Sequence, residues 1–202
     1  MKLYFIIKRL IDIVASLILL LILSPILITT SILVYLKLGS PIFFIQERVG
    51  KNNKVFKMIK FRSMRDVKNK FGEDLPDEDR LTSFGQKLRS YSIDELPELL
   101  NILNGDMSLV GPRPLLVDYL ELYSDEQIRR HEMKPGITGL AQINGRNSIS
   151  WNDRLRLDIN YIDSCSLFLD IKILFMTVYK VIKRDGISQE GNATMERFKG
   201  NN

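Results

Sequence analysis

An uninterrupted run of uncharged residues from Ile13 to Leu36 limits the folds that this chain of 202 residues can adopt. As one straight helix, its 24 residues would extend about 36 Å, against about 30 Å for the hydrocarbon core of a bilayer. The run is too long for the apolar part of a secretory signal, and Leu33-Val34-Tyr35 is not a small-residue cleavage site. We therefore expect a membrane-embedded helix that persists in the mature protein.

The pair Ser24-Pro25 lies near the middle of this run and predicts a bend. Pro25 has no N–H to donate to the carbonyl of Leu21, which the Ser24 hydroxyl can reach instead. Both flanks of the run are basic, with Lys2, Lys8 and Arg9 before it and Lys37 and a further basic stretch after it. Under the positive-inside rule, both flanks favour the cytoplasmic face, as in a broken helix that enters and leaves one leaflet. A kinked single-pass anchor is the alternative.

The net charge of +5 favours an anionic partner, for which nucleic acid, anionic lipid and nucleotide phosphates are equally suitable. The single cysteine, Cys165, excludes an internal disulfide and a four-cysteine zinc site. The single histidine, His131, argues against a histidine-based metal site. Composition therefore favours a reducing, cytoplasmic environment without choosing the partner.

Two short apolar runs, Ile42 to Gln46 and Val55 to Phe61, are separated by a turn-rich stretch and predict a β-hairpin. From Arg48 to Arg65 there are seven basic residues and no acidic ones. Such a stretch commonly marks a surface attracted to anionic lipid. The sharper interpretation is that Lys60 and Arg62 turn inward toward phosphates.

Helical patterns dominate the rest of the chain, which predicts an α+β fold that is mostly helical. The last helical pattern, Leu167 to Ile182, is apolar around most of its circumference and suits a core helix or a helix in the membrane interface equally well. The other helical segments are Phe84 to Arg89, Asp94 to Leu103 closed by Gly105, Leu115 to Tyr123, and a turn opened by Ser124 with Gln127 three residues on.

Asp94 and Glu95 are the carboxylates best placed for chemistry. Ser92 and Glu95 could simply form a capping box; a helix that begins at Asp94 instead puts Pro97 at its third position. Whichever residue begins the helix, both carboxylates lie in its first turn. There the free N–H groups and the helix dipole favour the binding of a pyrophosphate. Mg²⁺ would offset their repulsion, because it takes one or two carboxylates plus phosphate oxygens. A carboxylate held there can attack phosphorus, so Asp94 is the candidate nucleophile.

Fixed cations are also needed on the phosphate oxygens, and Arg89, Arg113 and Arg146 are candidates. Arg113 lies in the proline-restricted segment Gly111 to Pro114, for which a rigid turn with an exposed arginine is locally the better interpretation. A glycine-rich region made of Pro135 to Gly139 and Asn144-Gly145-Arg146 could approach an anionic ligand closely, although it matches neither the Walker A nor the dinucleotide-binding fingerprint.

Five segments, in this order, carry a resemblance to a known family: Ser24-Pro25, Lys60-Phe61-Arg62-Ser63-Met64, Asp94-Glu95-Leu96-Pro97, Gly105 to Pro114, and Pro135 to Arg146. Together they resemble the small monotopic phosphoglycosyl transferases of the bacterial sugar transferase family, over essentially the whole chain. The resemblance is closest to the compact members that begin N-linked protein glycan assembly with N,N'-diacetylbacillosamine. It implies an enzyme on the cytoplasmic face of the bacterial inner membrane.

The resemblance implies three parts of the chain: a re-entrant membrane helix broken at Ser24 and Pro25 (residues 1–38), an interface-associated catalytic domain (39–186) and a polar tail (187–202). It favours the interfacial interpretation of the last helix. The implied site lies on the cytoplasmic side, where interfacial amphipathic helices and the small β-hairpin surround it.

The resemblance also implies a reaction. Asp94 attacks the sugar-bearing phosphate of a UDP-sugar, UMP leaves, and undecaprenyl phosphate then takes the phosphosugar from the enzyme, as the first membrane step of glycoconjugate assembly before other membrane glycosyltransferases act. Glu95 supports Asp94 beside Mg²⁺, and Arg113 holds the nucleotide end. The implied sugar is N,N'-diacetylbacillosamine or another N-acetylated amino sugar. The residues implied to surround the phosphates are Lys60, Arg62, Arg89 and Arg146.

Two other functions are open from the sequence. Asp77-Glu78-Asp79, in an acidic loop, resembles the metal motif of glycosyltransferases that transfer sugar without phosphate and release UDP. A membrane-anchored module could instead bind nucleic acid or anionic lipid through the basic stretch from Arg48 to Arg65. That module would leave Asp94 unexplained, so we expect membrane lipid as a partner and no nucleic acid.

Overall fold

The computed structural model describes residues 2–73, 75–145, 149–183 and 197–200. Strand β1 pairs with β2 in an antiparallel hairpin, and β3 pairs with β4 in parallel. The predicted α+β class, mostly helical with a small hairpin, is confirmed. In the described residues the α-helices are α1 (Lys2–Ile22), α2 (Ser24–Leu38), α3 (Asp77–Arg80), α4 (Ser83–Ser90), α5 (Glu98–Asn104), α6 (Leu140–Ile143), α7 (Trp151–Ser164) and α8 (Leu167–Lys183). The strands are β1 (Phe43–Val49), β2 (Val55–Phe61), β3 (Ser108–Val110) and β4 (Gly136–Thr138).

The apolar run is broken where the sequence predicts it. Helix α1 ends at Ile22, α2 begins at Ser24, and the two are bent by 63°. The Ser24 hydroxyl donates to the Leu21 carbonyl at 2.8 Å, the acceptor that Pro25 leaves without an N–H donor. Among the described helices, none is by itself long and apolar enough to cross a bilayer, whereas the bent pair passes that test together. The bend is confirmed, and the re-entrant path stays a prediction.

The first turns of α1 are held on the body of the protein by a buried polar network. The Lys8 ammonium lies 2.8 Å from Oδ2 of Asp170 on α8. Asp170 also accepts hydrogen bonds from the hydroxyls of Tyr161, at 2.6 Å, and Tyr4, at 3.0 Å. We call Tyr4, Lys8, Tyr161 and Asp170 the anchor network. It joins the amino-terminal helix to the last described helix.

Two further polar side chains of α1 bind main-chain groups in the body of the protein. Arg9 donates to the carbonyls of Ile102, at 2.6 Å, and Leu103, at 2.8 Å, at the end of α5. Cations at a helix carboxyl terminus are favoured by the helix dipole. Asp12 accepts from the N–H of Leu109 at 2.9 Å. The start of α1 is therefore part of the protein body as well as the approach to the bend at Ser24.

The segment around the two candidate carboxylates differs from the predicted continuous helix. Residues Ile93–Glu95 form a 3₁₀ turn, and α5 begins only at Glu98. The capping-box interpretation is wrong, because Ser92 has a left-handed backbone (φ 54°) and its side chain makes no capping bond. The predicted end is confirmed, since Gly105 adopts φ 91° and donates to the carbonyls of Asn101 and Ile102.

Other predicted elements are confirmed in part. The segment from Leu115 to Tyr123 is a 3₁₀ helix (Val117–Leu122) and not an α-helix. Ser124 and Gln127 form the expected reciprocal bonds: the Ser124 N–H donates to Gln127 Oε1 at 3.0 Å, and the Gln127 N–H donates to Ser124 Oγ at 3.3 Å. They open a second 3₁₀ helix, at Gln127–Glu132.

Helix α8 is one-sided, with Asp170 and Ile173 buried against the body. The core-helix interpretation is wrong, because large apolar side chains such as Phe168, Phe175 and Ile182 are exposed along the other side. An exposed apolar face beside the bent helix pair agrees with the expected interfacial position. That position stays a prediction.

Helix α7 was not expected from the sequence. Its apolar pattern is interrupted by Arg154 and Asp158, which are both buried. A capping signal was present, since Ser150 accepts from the N–H of Asp153 at 3.1 Å. The packing also reaches into the predicted polar tail, where Phe198 is only 2% exposed. Of that tail, residues 187–196, 201 and 202 lie outside the described residues.

Candidate active site

Asp94 and Glu95 lie in the 3₁₀ turn that precedes α5, where the left-handed backbone of Ser92 redirects the chain. Asp94 is 8% exposed. No residue in the described ranges donates a hydrogen bond to its carboxylate. A largely buried residue whose carboxylate is left open to a ligand is typical of reactive sites.

Glu95 is bound by two cations. Its Oε1 accepts from the Arg113 guanidinium at 2.5 Å and from the Lys60 ammonium at 2.8 Å. Lys60 also lies 3.1 Å from Oε1 of Glu98, at the start of α5. We call Asp94, Glu95, Glu98, Lys60 and Arg113 the carboxylate cluster. It holds three acidic groups and two basic groups in largely buried positions.

Two structural elements deliver the cations. Lys60 is on β2, where period-two alternation puts it on the same side as the buried Met58. The segment that carries Arg113 is fixed through its backbone, because Arg130 donates to the Arg113 carbonyl at 2.7 Å. Arg130 is itself held by a 2.7 Å ion pair with Asp158 on α7. Arg113 therefore differs from the exposed turn arginine of the local interpretation: its side chain is 35% exposed and paired with Glu95.

The two adjacent carboxylates have opposite electrostatic environments. Burial, with the charge of Glu95, raises the pKa of Asp94, against the opposing effects of Lys60 and Arg89. Burial also acts to raise the pKa of Glu95, but Arg113 and Lys60 outweigh it and hold that pKa well below its usual range. Glu95 is thus a fixed anion, while Asp94 is the group whose charge responds to an arriving cation or ligand.

Glu98 is a site residue that the sequence analysis missed. It is 2% exposed, and burial raises its pKa to about 7 even though Lys60 opposes the shift. The sequence did contain a sign of this role. Glu98 is an acidic residue beside the apolar residues of α5 and lies three positions after Glu95, a spacing that puts two side chains on one face of a continuous helix. Its proximity to Lys60 depends on β2, which is distant in sequence.

The remaining predicted basic residues are distributed differently. Arg89 donates from Nε to the Ser63 hydroxyl at 2.9 Å, and its charge acts on Asp94. Arg62 is inward-facing but lies away from the cluster, where it donates to the carbonyls of Leu38, Gly39 and Ser40 after α2. Arg146 lies outside the described residues. Lys60, Arg89 and Arg113 are thus the predicted cations placed near Asp94.

The glycines that seemed suited to approaching a ligand are used for backbone contact. A Cβ at Gly136 would lie 2.1 Å from the Gly111 nitrogen, and one at Gly139 would lie 2.1 Å from the Gly111 oxygen. These distances leave no room for a side chain at either position. The glycines let β3 and β4 pass closely, which fixes the segment carrying Arg113, so the ligand-approach interpretation of Gly136 and Gly139 is wrong.

In the described part of the chain, no group of three or more His, Cys, Asp or Glu side chains could hold a metal ion. Asp94 and Glu95 offer two adjacent carboxylates, a donor set that fits Mg²⁺ when substrate phosphates supply further oxygens. The alternative motif, Asp77 and Asp79, lies on the single-turn helix α3, which has no buried residue. Asp74, in the same acidic loop, lies outside the described residues.

A family model and several known proteins match this chain over most of its length. A family model described as bacterial sugar transferase matches residues 3–184. The chain is 56% identical over 195 residues to the uncharacterized sugar transferase EpsL of Bacillus subtilis, covering 96% of both chains. It is 40% identical to the undecaprenyl-phosphate galactose phosphotransferase of Salmonella typhimurium, over 89% of this chain and 41% of the relative.

A relative from Klebsiella pneumoniae, named UDP-glucose:undecaprenyl-phosphate glucose-1-phosphate transferase, is 42% identical over 86% of this chain and 39% of its own length. This chain therefore spans about two fifths of the Salmonella and Klebsiella proteins and nearly all of the Bacillus protein. The family match includes the bent helices, the carboxylate cluster and α8. The chain belongs to the bacterial sugar transferase family.

Proposed function

We propose that this protein transfers a sugar 1-phosphate from a UDP-sugar to undecaprenyl phosphate and releases UMP, through a covalent phosphosugar intermediate on Asp94. The observation that carries the proposal is a buried Asp94 without a hydrogen-bond donor in the described residues, adjacent to Glu95 and near three cations. Relatives named for sugar-phosphate transfer to undecaprenyl phosphate support the same reaction.

In the first step, an oxygen of the Asp94 carboxylate attacks the sugar-bearing phosphorus. The new P–O bond forms as the bond from that phosphorus to the bridging oxygen breaks, and the electron pair leaves with UMP. Arg113 and Lys60 are fixed beside the site, so they can stabilise the negative charge that develops on the phosphate oxygens. The Arg89 guanidinium acts from the Ser63 side.

In the second step, a phosphate oxygen of undecaprenyl phosphate attacks the same phosphorus. The bond to Asp94 breaks, and its electron pair restores the carboxylate for another cycle. A single nucleophile therefore serves both substrates in turn, which predicts ping-pong kinetics. Glu95 stays negatively charged in both steps, because Arg113 and Lys60 pair with it. It serves in both steps as the supporting carboxylate beside Asp94.

Mg²⁺ is the proposed cofactor, with Asp94 and Glu95 as its protein ligands. When bound, it would neutralise phosphate charge and so allow a carboxylate to approach a diphosphate. Arg113 and Lys60 already neutralise part of the charge of Glu95. The protein neutralises the charge of the Asp94 carboxylate less than that of Glu95, and burial and the charge of Glu95 both disfavour the anionic form of Asp94.

The proposed location is the cytoplasmic face of the bacterial inner membrane, with α1 and α2 entering and leaving one leaflet. The 63° bend and the exposed apolar side of α8 support it. The basic residues Lys2 and Lys37, on either side of the pair, favour the same face. This monotopic arrangement would bring the membrane-held carrier to the carboxylate cluster.

The resemblance and the names of the relatives point to different sugars for the UDP-sugar donor. The resemblance favours UDP-N,N'-diacetylbacillosamine or another N-acetylated amino sugar, as in protein glycosylation. The names of the Salmonella and Klebsiella relatives specify galactose and glucose, and other relatives are named for exopolysaccharide production. We favour an N-acetylated amino sugar and take UDP-glucose and UDP-galactose as the competing donors. The two classes of sugar differ in acetamido substitution, so a single panel of UDP-sugars can distinguish them.

The decisive experiment measures nucleotide release from these UDP-sugars by lipid-solubilised protein with undecaprenyl phosphate and Mg²⁺. We expect UMP as the product and a loss of more than about 1,000-fold in Asp94→Asn, because the nucleophile is removed. Asp125→Asn, a change at an exposed residue, is the matched control. UDP release, or UMP release that is indifferent to Asp94, would contradict the proposal; UDP release would favour the Asp77 and Asp79 motif instead.

A further inference from the structure

A small cavity lies against the carboxylate cluster, on the side of Lys60 and Arg113 that the proposed chemistry leaves unassigned. Its lining contains three cations and one carboxylate, so it is electropositive unless an anion enters it. The lining residues are Arg48, Met58, Lys60, Glu98, Arg113 and Pro114.

Two residues of this lining, Arg48 on β1 and Glu98 on α5, each have a buried polar atom without a hydrogen-bond partner among the described residues, and Arg48 is the one that can donate to an anion. It donates to Oε1 of Gln46 at 2.6 Å and makes a long contact of 3.4 Å to the Pro114 carbonyl. Its Nε is buried and meets no acceptor in the described residues. Burial and the charge of Arg113 lower the pKa of Arg48 to about 10. A half-buried cation with an unpaired N–H group beside a second cation is unfavourable.

An anionic oxygen in the cavity would relieve both costs at once. It would accept the unused N–H group of Arg48 and reduce the repulsion between Arg48 and Arg113. Glu98 supplies part of this negative charge in the free protein, but it is also drawn to Lys60. A ligand oxygen would therefore compete with Glu98 for the same cations.

We infer that Arg48 is a further substrate-binding residue, which donates to a phosphate oxygen of the substrate in a subsite shared with Lys60 and Arg113. The inference rests on the proposed function, because both proposed substrates carry that chemical group. The sugar donor presents it as a diphosphate, and the lipid acceptor as a monophosphate. Glu98 opposes binding in this subsite, so its removal has the opposite effect to removal of Arg48.

The test measures binding of UMP, inorganic phosphate and a short-chain prenyl phosphate to the full-length, solubilised protein, without turnover. Arg48→Gln should weaken UMP binding about tenfold, the loss expected for a charge-assisted hydrogen bond. Arg48→Lys should recover part of the affinity, and Glu98→Gln should raise it. Arg156→Gln, a change at an exposed arginine on α7, should bind like the wild type.

The ligand panel identifies which substrate uses the subsite: a loss confined to UMP assigns the donor, and a loss confined to prenyl phosphate assigns the acceptor. Wild-type affinity in Arg48→Gln for all three ligands overturns the inference, even if the variant melts at a lower temperature. Reduced affinity in Glu98→Gln also overturns it, and so does a wild type that binds none of the ligands.

Binding and turnover separate this inference from the proposed reaction. If UMP binds in an Arg48-dependent manner but no UDP-sugar yields UMP, the reaction is wrong and the anion subsite stands. If UMP is released and Arg48→Gln keeps the wild-type KM for both substrates, the reaction stands and the subsite is wrong.

Discussion

The anchor network and the carboxylate cluster are both buried sets of charges, but they are completed to different extents. In the anchor network, Asp170 accepts from Tyr4, Lys8 and Tyr161, so one carboxylate is matched by three donors. In the carboxylate cluster, Asp94 has no donor within the described residues and Glu98 has only an ion-pair contact. The difference indicates that the first network holds the fold together, whereas the second retains capacity for a ligand.

The largest effect that would sharpen this comparison is on stability. Lys8→Met should lower the free energy of unfolding by about 3 kcal/mol, because it leaves Asp170 as an uncompensated buried charge. Lys60→Met should cost clearly less, since Arg113 still pairs with Glu95 and Glu98, with a pKa already raised to about 7 by burial, can take up a proton, yet it should remove most activity. Denaturant unfolding in lipid-like detergent, together with UMP release, measures both. Equal destabilisation by the two variants would erase the distinction.

Arg9 tests whether the two regions act independently, because it joins α1 to the end of α5. Arg9→Gln should lower the free energy of unfolding by about 2 kcal/mol, through loss of two charge-assisted bonds to carbonyls. The kcat of the folded fraction should stay near wild type, since α5 is also held by apolar core residues such as Leu99 and Ile102. A large fall in kcat without loss of stability would show that the regions are coupled.

The pH dependence of stability should differ between wild type and Glu98→Gln. Burial raises the pKa of Glu98 to about 7 in the folded protein, so its contribution to stability is complete below the pKa of the unfolded chain and is lost as pH rises through about 7. Between pH 5 and pH 8, the wild type should therefore lose about 2 to 3 kcal/mol more than the variant. Urea unfolding at both pH values measures this difference. An equal loss of stability in the two proteins would show that Glu98, like Asp170 in the anchor network, is fully paired.

The smallest expected effect lies at the helix break. Ser24→Ala removes the hydroxyl that binds the Leu21 carbonyl and should cost about 0.5 to 1 kcal/mol, because that contact is exposed. Pro25→Ala restores a donor and should reduce the 63° bend. Distances between spin labels on α1 and α2 measure the bend, and an unchanged distance in Pro25→Ala would show that packing alone sets it.

Local patterns were sufficient to predict much of the molecule. The Ser24-Pro25 break, the hairpin and the end of α5 at Gly105 each depend on residues within a few positions of one another. The inward direction of Lys60, which the sequence offered as the sharper of two interpretations, agrees with its place on the same side of β2 as the buried Met58. These are features that periodicity and turn chemistry determine.

Contacts between distant segments could not be predicted in the same way. Lys8 meets Asp170 across 162 positions, and Arg9 meets the Ile102 carbonyl across 93. Arg62 was expected near phosphates, but the open carbonyls at the end of α2 are its acceptors. Glycine was correctly identified as a residue of close approach, but nothing local showed that the neighbour of Gly136 would be the Gly111 backbone.

The ion pair between Lys8 and Asp170 has a consequence for synthesis of the protein on the ribosome. Lys8 leaves the ribosome well before its counter-charge, which lies 162 positions further along the chain. Until Asp170 has been added, the nascent α1 carries an unmatched ammonium, which favours water and resists burial against the body. Docking of α1 is thus deferred until Asp170 has been made, so a chain stalled before residue 170 would present an undocked α1 to quality-control proteases.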